Sequence, residues 1–205
     1  MTANKIAIFV GLFVLTILYV FLGGLVFTFI ENEDNALPYG KWEFSDGVYY
    51  VIQGITTIGY GDRLCRSGLG KTISMGYIPL GILLLFSLLF LFSNALLSWF
   101  HSFDQKLQKS ERSKFVSFGL VLFAVIVALL MFWLLPAVII YTFYDDNWTF
   151  FETLYFVYAT IITAGYGDYV IRSSIWCSIA MIYEVMGATV FLTIARFSFG
   201  ILERN

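Results

Sequence analysis

The chain has 205 residues, of which 60% are hydrophobic and only 13% charged, with mean hydropathy +0.83 and formal net charge −2. A soluble domain is about one quarter charged, so this composition excludes a soluble enzyme and a disordered chain. Two cysteines without a repeated spacing exclude a disulfide scaffold, and the acidic balance argues against a nucleic-acid binder.

The charge-free intervals predict the elements in chain order. Residues 6–30 contain no Asp, Glu, Lys or Arg and predict a first spanning helix. The run Tyr19-Val20-Phe21-Leu22-Gly23-Gly24 passes through it without a cleavage-like site, so it reads as a span rather than a signal peptide. Residues 47–61 form a 15-residue uncharged interval. Even as complete helix it reaches only about 22 Å, so it reads as a re-entrant loop surrounded by protein or by a water-filled path. Residues 72–103, interrupted only by His101, predict the second span, and 115–144 the third. A second short interval, 153–167, repeats the re-entrant pattern, and 173–195, broken only by Glu184, predicts the fourth span.

The expected fold is therefore an all-α membrane protein with four transmembrane helices and two re-entrant pore-helix loops. Its units are residues 1–105, a linker at 106–114, and residues 115–205. Four spans put both termini and the linker on one side, where Lys5, Lys106, Lys109, Arg112, Lys114, Arg196 and Arg204 outnumber Asp104, Glu111 and Glu203. The Lys/Arg majority predicts that this side is cytoplasmic.

Sliding the chain on itself by 106 residues aligns its halves without a gap. Trp42 falls on Trp148, Asp46 on Glu152, Tyr49 on Tyr155, Thr57 on Thr163, Arg66 on Arg172, Tyr77 on Tyr183 and Gly81 on Gly187. A parallel duplication accounts for this, and both loops keep one orientation, unlike inverted transporter repeats.

Each re-entrant interval ends in a Thr-x-Gly-Tyr-Gly-Asp run: Thr57-Ile58-Gly59-Tyr60-Gly61-Asp62 and Thr163-Ala164-Gly165-Tyr166-Gly167-Asp168. A dehydrating K⁺ needs rings of backbone carbonyls facing one axis. Alternate residues must then adopt torsions that glycine tolerates. The runs resemble the potassium-channel selectivity filter, with the threonine adding an oxygen ring at the cavity end. Fourfold ligation needs four such runs and one chain supplies two, so a dimer is expected: a homodimer, with a heterodimer as the alternative.

With two pore loops and four helices, the chain resembles the two-pore-domain potassium channels over nearly its whole length. Tyr19 through Phe27 with Glu31 resembles that family's first helix, and Trp148 through Asp168 its second pore helix and filter. The resemblance implies a K⁺-selective leak conductance gated at the filter, with K⁺ as permeant ion and no cofactor. The plasma membrane is expected before an internal one. Two departures stand out. Only residues 31–45, without a cysteine, separate the first helix from the first pore helix, so no helical cap or cap disulfide is expected. Tyr166 stands where many animal members carry Phe. Neither terminus is expected to hold a regulatory domain.

Asp62 and Asp168 should lie at the outer mouth. Two readings stay open: with Glu31, Glu33, Asp34, Asp145 and Asp146 they enrich cations, or they brace the filter. By resemblance, Tyr49 and Tyr155 are the bracing partners. Gly81 and Gly187 match the inner-helix hinge of potassium channels, with close helix packing as the equal alternative, and Pro79 favours a bend beside Gly81. Glu184 is an acid inside a span. It should face protein or water, either as a proton-sensitive element or as a satisfied hydrogen-bond partner. Cys65 is expected to be an accessible free thiol. Asn147-Trp148-Thr149 matches a glycosylation sequon, but one abutting a pore helix.

The competing readings are a potassium-transporter subunit, which would use looser single-glycine repeats, and a silent subunit that conducts only with another chain. No span carries spaced arginines, which argues against a voltage sensor. No nucleophile–base pair, metal cluster or phosphate loop suggests an enzyme.

Overall fold

The computed structural model describes residues 3–33, 41–108, 114–144 and 147–202. Asp34, Asp145, Asp146, Lys109, Glu111, Arg112, Glu203 and Arg204 lie outside them. Among the described residues all regular structure is helical. Four helices are long and apolar enough to cross a membrane, covering Asn4–Glu33, Gly68–Gln105, Gly119–Phe143 and Ser174–Gly200.

The first span is α1 (Ala3–Glu33), followed by the short α2 (Phe44–Ile55). The second is α3 (Gly68–Gln108), a 41-residue helix that runs past Pro79 and on beyond residue 105. The third consists of α4 (Lys114–Leu129), a π turn at Leu130–Leu134 and α5 (Leu135–Phe143). The short α6 (Phe150–Ile161) and the fourth span α7 (Ser174–Leu202) complete the chain. At 12 residues each, α2 and α6 rise only about 18 Å.

Both short helices begin with a capping box at repeat-related positions. Glu43 and Asp46 open α2, while Thr149 and Glu152 open α6. In each, the acid reaches back to the cap residue's N–H, Asp46 to Glu43 at 3.0 Å and Glu152 to Thr149 at 2.6 Å. Two helix-end donors that would otherwise be orphaned are thereby paired. The same box occupies the Thr149 hydroxyl of the sequon.

The π turn has a local cause. Pro136 has no N–H, and in a regular α-helix its ring would press on the carbonyl four residues earlier. Widening the turn relieves this but frees carbonyls. Tyr183 on α7 donates to the Met131 carbonyl at 2.7 Å, and Trp133 Nε1 donates to the Leu154 carbonyl at 3.2 Å. These bonds tie the distorted turn to α7 and α6.

Half of the fourth span's most apolar stretch is buried, against 11–17% in the other three. Thus α7 is the central helix, while the outer faces of α1, α3 and α4–α5 carry exposed Leu, Ile and Phe, as lipid-facing helices do. The largest buried cluster joins the two units: Tyr49 and Ile52 of α2, Ile58 and Tyr60 after it, Phe156 and Val157 of α6, and Cys177, Met181 and Val185 of α7. Close approach of α1 and α2 rests on glycine, since a Cβ on Gly47 would collide with the Gly24 carbonyl and Thr28 Oγ1. Small residues at membrane-helix contacts permit this approach.

Candidate ion pore

Beyond the C-terminal ends of α2 and α6 the backbone alternates in hand. Thr57, Gly59 and Gly61 have φ of 60°, 61° and 80°, and Thr163, Gly165 and Gly167 have 55°, 50° and 77°. Glycine takes these torsions freely, whereas a β-branched threonine there is strained by about 1–3 kcal/mol. The preceding helices hold the segments: Gly59 N–H donates to the Gln53 carbonyl and Gly165 N–H to the Ala159 carbonyl, both at 3.1 Å.

The two segments lie side by side. A Cβ on Gly165 would collide with the Ile58 carbonyl, and one on Gly167 with the Tyr60 carbonyl. Carbonyls of the first segment therefore face the glycines of the second. Gly59 and Gly61, by contrast, have no atom within 4 Å of a Cβ position. The tyrosines show the same asymmetry. Tyr60 is 6% exposed, stacked on Phe156 and bonded to Thr160 Oγ1, whereas Tyr166 is 59% exposed.

Tyr49 Oη donates to Asp62 Oδ1 at 2.6 Å. Burial pushes the Tyr49 hydroxyl pKa upward, and Asp62 adds to the shift, so this phenol remains a donor. Around Tyr155 the arrangement differs: its ring stacks on that of Tyr166 at 6.1 Å. Its hydroxyl pKa is raised first by desolvation and then by the nearby Asp168. Both aspartates are exposed.

Four supporting residues, Gln53, Arg63, Ser174 and Tyr169, escaped the sequence reading. Gln53, 3% exposed, donates to the Arg63 carbonyl at 2.6 Å and accepts from Gly61 N–H at 3.3 Å. The repeat puts Ala159 there, so only the first segment has this brace. Arg63 pairs with Asp46 at 3.5 Å, and Asp46 also accepts from Ser174 of α7 at 2.5 Å. At the matching place Tyr169 donates to Glu152 at 2.7 Å. The repeat alignment held the signal for both pairs, since Arg63 falls on Tyr169 and Asp46 on Glu152. The Thr149 N–H and then the Tyr169 hydroxyl hold the Glu152 carboxyl below its usual range.

The remaining sequence candidates fall into different surroundings. Glu31 is 1% exposed and is used at the start of α3, accepting from Arg66 N–H at 3.0 Å and Ser67 Oγ at 2.5 Å. It is thus a buried helix-end carboxylate rather than a surface charge. Glu33 is exposed. Cys65 is a free thiol but a buried one, 7% exposed beside Ser74. The expectation of accessibility is corrected: the α3 start folds over it, and burial pushes its thiol up to about 11. A Cβ on Gly81 would strike Ile55 and Tyr19, and one on Gly187 would come within 2.7 Å of Phe132 in the π turn. Both glycines sit at tight helix crossings. His101, within α3, meets the edge of the Phe197 ring. Glu184 of α7 is 1% exposed, and its Oε2 has no hydrogen-bond partner among the described residues.

A family model described as ion channel matches residues 14–98 and 128–204, which take in most of the four spans and both glycine-tyrosine-glycine segments. The chain belongs to the two-pore-domain potassium channel family. Among two-pore-domain relatives, potassium channel subfamily K member 16 of Homo sapiens is 26% identical over 166 residues, 77% of this chain and 53% of that protein. Member 17 of Homo sapiens is 27% identical over 141 residues, 67% of this chain and 41% of that protein. Member 10 of Mus musculus is 31% identical over 147 residues, 69% of this chain and 26% of that protein. The chain spans about half, or less, of the length of these relatives. As an ion-channel family member with four membrane-length apolar helices, it is an integral membrane protein.

Proposed function

We propose that the chain is one half of a passive, potassium-selective pore, and that two copies assemble to conduct. The observation that carries this reading is the alternating-hand backbone at 57–61 and 163–167, packed with the carbonyls of one segment against the glycines of the other. Alternation turns successive carbonyls toward one side, as a carbonyl cage for a dehydrated cation requires. Thr57 then faces a hollow of about 660 Å³ lined by Ile82 and Phe86 of α3, a fitting cavity below the cage.

Dimerisation follows from the unfilled half of the ring. Each glycine of the second segment already meets a carbonyl, while Gly59, Gly61 and the exposed Tyr166 have no such neighbour. A second copy related by a twofold axis brings its own second segment against Gly59 and Gly61. Its α2 covers Tyr166 as α6 covers Tyr60. We place both termini in the cytoplasm of a plasma-membrane protein, by the Lys/Arg majority. Gating belongs at the filter.

The test is radioactive rubidium and sodium uptake into vesicles carrying the purified chain. Rubidium should enter and sodium should not, with Gly165→Ala abolishing uptake because its Cβ meets the Ile58 carbonyl. Equal entry of both ions, or full activity of that variant, would contradict the reading.

A further inference from the structure

We infer that the cavity between α5 and α7 is a binding site for a lipophilic amine, a protonated nitrogen on a hydrocarbon body, entering from the bilayer. The cavity is about 530 Å³ and is lined by Ile139, Ile140, Trp176, Ile179, Tyr183 and Glu184. This is the size and apolar character of a small-molecule site with one orienting polar group. Ile139, Trp176 and Ile179 are 47%, 62% and 52% exposed on the outer face of the spans, so the mouth opens toward lipid.

The chemistry of the occupant follows from Glu184. Its carboxyl is 1% exposed inside a span, with Oε2 unpartnered. An acid in that position is costly unless paired. Tyr183, its neighbour on the wall, has its hydroxyl committed to the Met131 carbonyl. The fold does not require the acid: the repeat puts Ile78 at the same place, where it packs on Gly54 at 2.8 Å from a Cβ position. An ammonium group would supply the missing charge-assisted hydrogen bond, while its hydrocarbon body replaces lipid against Ile139, Ile179 and Trp176.

The test compares dodecylamine with dodecanol, which matches its tail but lacks its charge, on the thermal unfolding midpoint of the detergent-solubilised full chain. Ligand that binds only the folded state raises the midpoint, here by about 3 °C or more at saturating dodecylamine. Dodecanol should give no comparable shift. Glu184→Gln keeps the shape and should lose the amine-specific shift. Ile139→Trp fills the cavity, leaves Glu184 intact and should lose it too, which carries the test alone if the first variant does not fold. Equal shifts for the two compounds, or an amine shift retained in either folded variant, would overturn the site. The midpoint is read without ion flow, so the result is independent of whether the chain conducts.

Discussion

The hydroxyl of Tyr60, in the first glycine-tyrosine-glycine segment, is 2.5 Å from Thr160 Oγ1 on α6, 100 residues away. Both residues are buried, and the tyrosine ring stacks on Phe156 of the same helix. One unit's segment is thus clasped by the other unit's short helix, so the two halves of the chain cannot shift independently at this point. Thr160→Val keeps the shape and leaves a buried phenol unpaired, at a cost of about 1–3 kcal/mol. The expected outcome is a lower unfolding midpoint and a reduced preference for potassium over sodium in vesicle currents.

The Tyr49–Asp62 bond couples α2 to the end of the first segment. Hydrogen bonds to a charged group contribute about 1.5–3 kcal/mol. Tyr49→Phe should therefore speed the decline of current under sustained driving force, more than Tyr155→Phe, whose ring stacks on Tyr166. Unchanged current decay in both variants would remove the bracing role.

Glu152 provides a pH prediction with a definite sign. Its carboxyl is held below the usual range when folded, so its contribution is present above the ordinary glutamate value and is lost as pH falls through the lowered one. Acidification should loosen the first turn of α6. Tyr169→Phe removes one of the hydrogen bonds that lower the value and should move this loosening to higher pH. Amide exchange at residues 150–153, followed against pH, reads it.

Cys65 should react slowly with thiol reagents. With its thiol pushed from 9.0 up to about 11, the reactive thiolate is about 100-fold scarcer at neutral pH, and burial restricts access further. Labelling of the Cys177→Ser variant with iodoacetamide at pH 7.5 should lag an exposed cysteine by at least that factor. Ordinary reactivity would mean that the cover over Cys65 is not in place.

Much of this architecture was legible in the sequence because lipid permits so few charges. The intervals 6–30, 72–103, 115–144 and 173–195 overlap the four spans with ends that agree to within a few residues, and the 106-residue repeat foretold that α2 and α6 would match. The π turn left no such trace, since an extra residue in a turn does not alter hydropathy. Pro136 was its one sign. The environment of Glu31 was also hidden, because an acid after a span reads as surface charge until α3 is seen to begin over it. Contacts such as Tyr60–Thr160 and Asp46–Ser174 depend on how the units interleave, which neither spacing nor composition encodes. The contrast between Gly59 and Gly165, identical in the alignment, appears only when the segments lie side by side.

The central claim, a potassium-selective pore completed by a second copy, is tested most directly by reversal potential. Purified wild-type protein in a planar bilayer would face a tenfold potassium gradient balanced with sodium. The account predicts a reversal potential near the potassium equilibrium value, about 59 mV for that gradient, and one that follows potassium as sodium is varied. A reversal potential near zero, or one that tracks sodium or chloride, would contradict it.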